Sequence, residues 1–219
     1  MLSDAQLGLL TGFAFAVFYT FAGLPIASLA DRSNRRNIVA VSLTIWSGMT
    51  AISGLAQNYW QLLAARVGVG IGEAGGSPPS HSMISDIFPP EKRASAIGFY
   101  STGISIGILF GFLFGGGLNE FFGWRVAFFV VGIPGVLLAL VLYLTVPEPV
   151  RGLAENKASS VDNPSMMTVF KVLLSRRSFL FMALGAAMNA FAGYGTANWV
   201  ASFMIRTHQM PTGELGTWL

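Results

Sequence analysis

The chain has 219 residues, of which 53% are hydrophobic and only 11% charged, with a formal net charge of +3. A soluble domain of this length needs about a quarter of its residues charged to cover its surface, so this composition excludes a water-bathed globule and points to lipid as the surrounding solvent. The absence of cysteine excludes disulfide scaffolds and thiolate metal sites; no cofactor and no nucleic-acid partner is expected.

A helix of about 20 apolar residues crosses a bilayer core, and six stretches reach that length: 7–30, 38–56, 62–84, 94–118, 126–146 and 179–205. Between them lie stop signals: a charged turn at 31–37, a polar turn at 57–61, a proline turn at 88–91 and an aromatic turn at 122–125. The fifth connection is long and polar, with a Ser/Asn/Asp stretch at 159–163 and then an apolar segment at 166–174 that reads as a helix lying in the interface. The division expected is 1–149 for most of an N-terminal transmembrane half, 150–177 for a linker, and 178–219 for the start of a second half.

Arginine and lysine set the sidedness. Ten of the thirteen fall in the first, third and fifth connections, Arg125 and Arg206 lie on the other side, and Arg66 is inside a span. The odd-numbered loops are therefore expected in the cytoplasm, with the N-terminus outside. Leu2-Ser-Asp-Ala-Gln-Leu-Gly8 resembles Met210-Pro-Thr-Gly-Glu-Leu-Gly216, and each opens a helix leaving the external face. Parallel repeats of this kind mark transporter halves. Together with the external start, the repeat suggests a further span before Met1 and a chain that is part of a longer protein.

The third span holds the most telling charges. Arg66 and Glu73 are seven residues apart, two helical turns, so they project from one face. A charge at mid-membrane costs about 2.5–3.5 kcal/mol on insertion scales and persists only when paired, hydrated or useful. Desolvation and Arg66 would pull the Glu73 proton in opposite directions, the competition that a proton- or substrate-gated switch requires. An ion pair that merely ties helices together is the plainer alternative. His81 lies near the same face but close to the span's end, where an interfacial role is expected rather than a relay.

The same span carries Gly68, Gly70, Gly72, Gly75 and Gly76, small residues that let another helix or a bulky ligand approach. Pro78-Pro79 is then expected to break the hydrogen-bond ladder and free carbonyls toward a cavity. The fourth span has Gly103, Gly107, Gly111 and Gly115 at four-residue spacing, a smooth face suited to close packing. In the sixth, Asn189, Tyr194 and Asn198 are candidate cavity residues; Tyr194 and Trp199 would suit an external aromatic belt equally well. In the first turn, Ala27-Ser-Leu-Ala-Asp31-Arg32-Ser-Asn34-Arg35-Arg36, the arginines anchor the chain. Asp31 at a helix C-terminus opposes the dipole and should have a partner.

This turn resembles the signature G-x-L-A-D-R-x-G-R-R of the major facilitator superfamily, with Ala27 and Asn34 in place of the glycines; Asn tolerates the left-handed backbone that glycine would adopt. Arg66-x-Gly-x-Gly-x-Gly-Glu73-Ala74 and Pro90-Glu-Lys-Arg93 are similar to its Spinster-like subgroup, and Phe122-Gly-Trp-Arg125 and Pro147-Glu-Pro149 recur in the superfamily. The resemblance covers almost the whole chain, as helices two to seven of twelve. It implies an all-α membrane bundle, with six full transmembrane helices of an expected twelve, working by alternating access. It also implies a cytoplasmic gate at Asp31, Arg32, Asn34, Arg35 and Arg36, coupling residues Glu73 and Arg66, and a proton-linked secondary transporter of an amphiphilic or organic anion such as a lysolipid. The phenylalanines of the first span (Phe13, Phe15, Phe18, Phe21) would supply apolar wall. Expected surroundings are the lipid bilayer, a small-molecule or lipid substrate and protons, in the bacterial inner membrane, with the full-length protein a monomer. Without its first helix, the chain by itself is expected not to transport.

A sugar, organic-acid or drug transporter of the same superfamily is the alternative; the fourth span lacks the Gly-Pro pair of drug–proton antiporters. A membrane-embedded enzyme would need clustered ligands or a nucleophile with its base, whereas the two histidines, His81 and His208, are far apart. A seven-helix receptor would not explain the charged turn or the repeat.

Overall fold

The computed structural model describes residues 3–155 and 165–218; the 159–163 stretch and Lys157 lie outside them. Every regular element among these residues is helical. Helix α1 (Asp4–Gly8) opens on a capping box in which Ser3 and Gln6 each bond the other's backbone. It runs through a π-helical turn (Leu9–Phe13) into α2 (Ala14–Ala30), forming one 27-residue apolar rod. Helices α3 (Arg35–Ser53) and α4 (Tyr59–Glu73) each start on an Asn cap, Asn34 and Asn58, whose side chains accept from the backbone N–H three residues on. Asn34 is extended, at φ −69° and ψ 112°, so its place in the turn rests on this cap and not on a left-handed backbone.

The third expected span is not one helix. It ends at Glu73, passes a tight turn at 74–76 and restarts as α5 (Ser77–Ile87). Gly75 and Gly76 close the turn through three-residue bonds to Gly72 and Glu73. Pro78 and Pro79 sit inside the first turn of α5, where an absent N–H costs nothing. The ladder thus breaks at the glycines, just before the prolines. In an unbroken helix the carbonyls of Ala74 and Gly75 would bond the residues four further on, and those two prolines have no N–H to give.

Helix α6 (Pro90–Phe122) is 33 residues long; Gly123, at φ 80°, turns the chain into α7 (Trp124–Thr145). A short 3-10 turn (Leu153–Glu155) follows. The amphipathic α8 (Met166–Ser175) leads into α9 (Arg177–His208), then α10 (Thr212–Trp218), separated by Gln209 in the left-handed region. Four of the described helices are long and apolar enough to cross a membrane: 4–30, 90–122, 124–145 and 177–208. The second and third expected spans fall outside that set. One begins on Arg35-Arg36 and carries several hydroxyls, and the other is split in two.

Helix α3 is the axis of the bundle, packed between α7 and α4, while α2 packs on α4 and α10 on α6. The contacts are close because the interior residues are small. A Cβ added to Gly132 would lie 2.6 Å from the Ala51 nitrogen, and one at Gly72 2.6 Å from the Trp46 nitrogen. Gly70 abuts the Phe15 carbonyl in the same way. The glycines of α4 therefore admit helices α2 and α3, not a ligand. The expectation for α6 is not met within the described residues: Gly103, Gly107, Gly111 and Gly115 all face open space, and it is Gly116 that meets Gly216 of α10.

Candidate functional site

The site grows from the break in the third span. Glu73 is the last residue of α4 and exposed on the chain's own surface; Arg66, two turns earlier, is half-buried. Although they share a helix face, they do not form an ion pair among the described residues. The Arg66 guanidinium turns instead toward the first rod. Its Nε donates to the Leu10 carbonyl at 3.4 Å, and its Cζ lies 5.7 Å from the centre of the Phe15 ring. Leu10 belongs to the π-helical turn, where the ladder's register shifts and a carbonyl can face a side chain.

Around these two charges stands an aromatic wall. Phe15 stacks on Tyr19 at 5.6 Å, and Tyr19 is an electrostatic neighbour of Glu73, Tyr100 and Tyr194. His81 meets Tyr100 edge-on at 5.3 Å. Of the four phenylalanines expected to line the cavity, Phe15 lies under Arg66, while Phe13, Phe18 and Phe21 are exposed. Tyr19 and Tyr100 did not stand out in the sequence. The usable signal was the four-residue step from Phe15 to Tyr19, which puts both rings on one helix face. Asn198 of α9 comes up against Gly12 and Trp199 against Gly8, so α9 faces the π-helical turn. Tyr194 is exposed on the same helix. Asn189, also exposed, makes no side-chain hydrogen bond among the described residues.

A second constellation ties together the arginine-rich ends of α2, α3, α5 and α7. Arg35 is 1% exposed, and all three of its guanidinium nitrogens donate hydrogen bonds. Nε donates to Glu148 Oε1 at 2.8 Å, Nη1 to Asp86 Oδ2 at 2.5 Å and to Ser82 Oγ at 2.8 Å, and Nη2 to the Pro149 carbonyl at 2.9 Å. Glu148 Oε2 accepts the Arg36 backbone N–H, and Asp86 Oδ1 accepts that of Gly152. Arg151 reaches back to the carbonyls of Ala30 and Ser33 at 2.7 and 2.8 Å. Burial works against the Glu148 charge, but the Arg36 N–H and the Arg35 guanidinium outweigh it and hold the carboxyl below its ordinary range.

Within the turn, Arg35 is thus the buried member. Arg32 is exposed, and Arg36 lies over the Tyr143 ring at 4.8 Å. Asp31 is exposed and has no side-chain hydrogen bond among the described residues, so the partner expected for it is missing here. Asp86, Glu148, Ser82 and Arg151 went unremarked in the sequence as partners, because they lie 47 to 121 residues from the groups they bind. The described residues include no group of three or more metal-ligating side chains.

The family model described as Major Facilitator Superfamily matches residues 1–219. Among curated proteins, an "MFS-type efflux pump" of Mycolicibacterium smegmatis is 35% identical over 98% of this chain and 49% of its own length. "Protein spinster homolog 3" of Danio rerio is 32% identical over 94% and 42%, and the "Cis,cis-muconate transport protein" of Acinetobacter baylyi 29% identical over 93% and 50%. A crystal structure of a bacterial homologue of the human lysosomal transporter Spinster, inward-facing and unoccupied, superposes with TM-score 0.85 at 41% identity, covering 99% of this chain and 51% of that one. The chain spans about half the length of these relatives.

Proposed function

The chain belongs to the major facilitator superfamily, a family of membrane transporters and not of enzymes, and from that premise we propose that it forms part of a proton-linked secondary carrier of an amphiphilic or organic anion. The observation that carries this reading is the state of Arg66. Its guanidinium is half-buried over an aromatic ring, it has one long bond to a backbone carbonyl, and Glu73 stands within electrostatic reach but is not bonded to it. A guanidinium has five N–H donors; here most are left for an anionic head, with ring faces beside them for an apolar body. A carboxyl near such a cation but not paired with it is placed to exchange a proton when the anion arrives or leaves.

Names among the relatives support an anion: one is a muconate transporter, and others are Spinster homologues, the subgroup whose resemblance implies a lysolipid. The efflux-pump relative supports the second reading, export of a drug-like compound through the same site. Residues 1–149 would form most of one transmembrane half, with 150–177 the linker and 178–219 the start of the other. We place the protein in the bacterial inner membrane with the arginine-rich ends in the cytoplasm, where the Arg35 cluster would act as the gate's anchor and Asp31, without a side-chain hydrogen bond among the described residues, as its movable part. The full-length protein would work as a monomer.

Transport measured in proteoliposomes, with the protein carrying both halves, tests this. Glu73→Gln should abolish the dependence of lysolipid or dicarboxylate uptake on a pH gradient, and Arg66→Gln should abolish uptake itself. Unchanged pH-driven uptake in Glu73→Gln would remove that carboxyl from coupling, and a cationic drug carried better than either anion would favour the second reading.

A further inference from the structure

Two apolar grooves run along opposite sides of α3. The first, about 400 Å³, lies between α2, α3 and α4, with Ile38 and Ile71 among its walls and Ser33, Asn34 and Asn37 at its arginine-rich end. The second, about 460 Å³, lies between α3 and α7, with Thr44 and Leu140 among its walls and Tyr143 at the same end. Val41 and Ile45 line both, as the ridge between them. From Asn37 to Ile45 a helix rises about 12 Å, against about 15 Å for half the hydrocarbon core. The first groove therefore runs through most of one leaflet, and the second, along Val136 to Tyr143 of α7, through about 10 Å of it.

The mouths converge on a single cation. Arg36 donates from Nε and Nη2 to Asn37 Oδ1, at 3.1 and 3.0 Å, on the rim of the first groove, and covers the Tyr143 ring of the second. Its Nη1 is unused among the described residues, and no carboxylate lies within ion-pair distance of its side chain. Glu148 touches Arg36 only through the backbone N–H and spends its other oxygen on Arg35. Exposed Arg32 adds positive charge nearby and exposed Asp31 subtracts it. A cation at the interface, flanked by a tyrosine and two apolar troughs, matches the layout of one phosphate with two hydrocarbon tails.

We propose that the two grooves and Arg36 form one binding site for a two-chain glycerophospholipid, its phosphate on Arg36 and one acyl chain on each side of the Val41–Ile45 ridge. The site is separate from Arg66, which faces the π-helical turn and Phe15. Occupancy fills the troughs beside the α3–α7 contact and supplies Arg36 with the anion it lacks.

Native mass spectrometry of the delipidated protein titrated with dioleoylphosphatidylglycerol, its monoacyl counterpart and dioleoylglycerol is the test. One dioleoylphosphatidylglycerol should stay bound at activation energies that strip the other two lipids, with at least fivefold higher retention. Arg36→Gln should lower that retention at least threefold, and Thr44→Trp, which blocks the second groove and leaves the cation, should do likewise. Arg32→Gln should leave it within twofold. Equal retention of the monoacyl lipid would overturn the two-groove arrangement, and equal retention of dioleoylglycerol, or none lost in Arg36→Gln, would overturn the phosphate contact. Should Arg36→Gln fail to fold, Thr44→Trp and the lipid comparison decide the matter by themselves.

Discussion

Arg35 and Arg66 are the same side chain in opposite circumstances. Arg35 sits where the ends of α2, α3, α5 and α7 meet, sealed from solvent, with two carboxylates, a hydroxyl and a carbonyl on its guanidinium. Arg66 lies mid-span with one 3.4 Å bond and a ring beneath it. A buried charge with four of its five donors spent fixes the elements around it. A half-buried charge with donors to spare is what the proposed function needs for an anionic ligand. The contrast separates a clamp from a proposed binding site better than charge or depth alone.

The largest effect should come from removing the clamp. Arg35→Gln leaves Asp86 and Glu148 without their cation, and loss of one partner from such a buried group costs about 3–5 kcal/mol; thermal unfolding in detergent should show a steep drop, and a near-wild-type midpoint would mean the cluster is not a clamp. Glu148→Gln keeps the shape but removes one charge, so its cost should be smaller, about 1–3 kcal/mol, by the same assay. Acid should act through the same carboxyl. Because Glu148 is held below its ordinary value in the fold, its contribution is complete above the unfolded carboxyl pKa of about 4.3 and is lost as pH falls through the lower folded value. Stability followed from pH 7 down to 3 should therefore fall more in the native protein than in Glu148→Gln. The smallest effect on stability belongs to Arg66→Gln, within about 1 kcal/mol of wild type. If that variant instead unfolds as readily as Arg35→Gln, the two arginines are both structural and the contrast fails.

Parts of this were legible residue by residue. Asn34 and Asn58 carry a helix-start signal, because a side-chain cap acts within three positions, but the turn motif pointed to a left-handed Asn34 instead. That the third span breaks was legible from Pro78-Pro79, but the break itself falls at Gly75 and Gly76, read in the sequence only as packing residues. The Gly103–Gly115 periodicity was legible as a smooth face, yet nothing among the described residues covers it. Helical spacing puts Arg66 and Glu73 on one face but does not say which way a long guanidinium turns. The nearby carbonyl of Leu10, 56 positions away, drew it off.

The sequence by itself determined that the chain is a set of apolar helices with basic turns on alternate connections, and which turn carries the family's signature. These are sums over twenty neighbouring residues, or caps spanning three, and they need no knowledge of the rest of the chain. Only the tertiary structure decided that Arg35 and not Arg32 or Arg36 is buried, that α4's glycines receive helices, and that Arg66 stands apart from Glu73. Each of those outcomes depends on how helices far apart in sequence rotate against one another, and a rotation of one residue step moves a side chain about 100° around its axis.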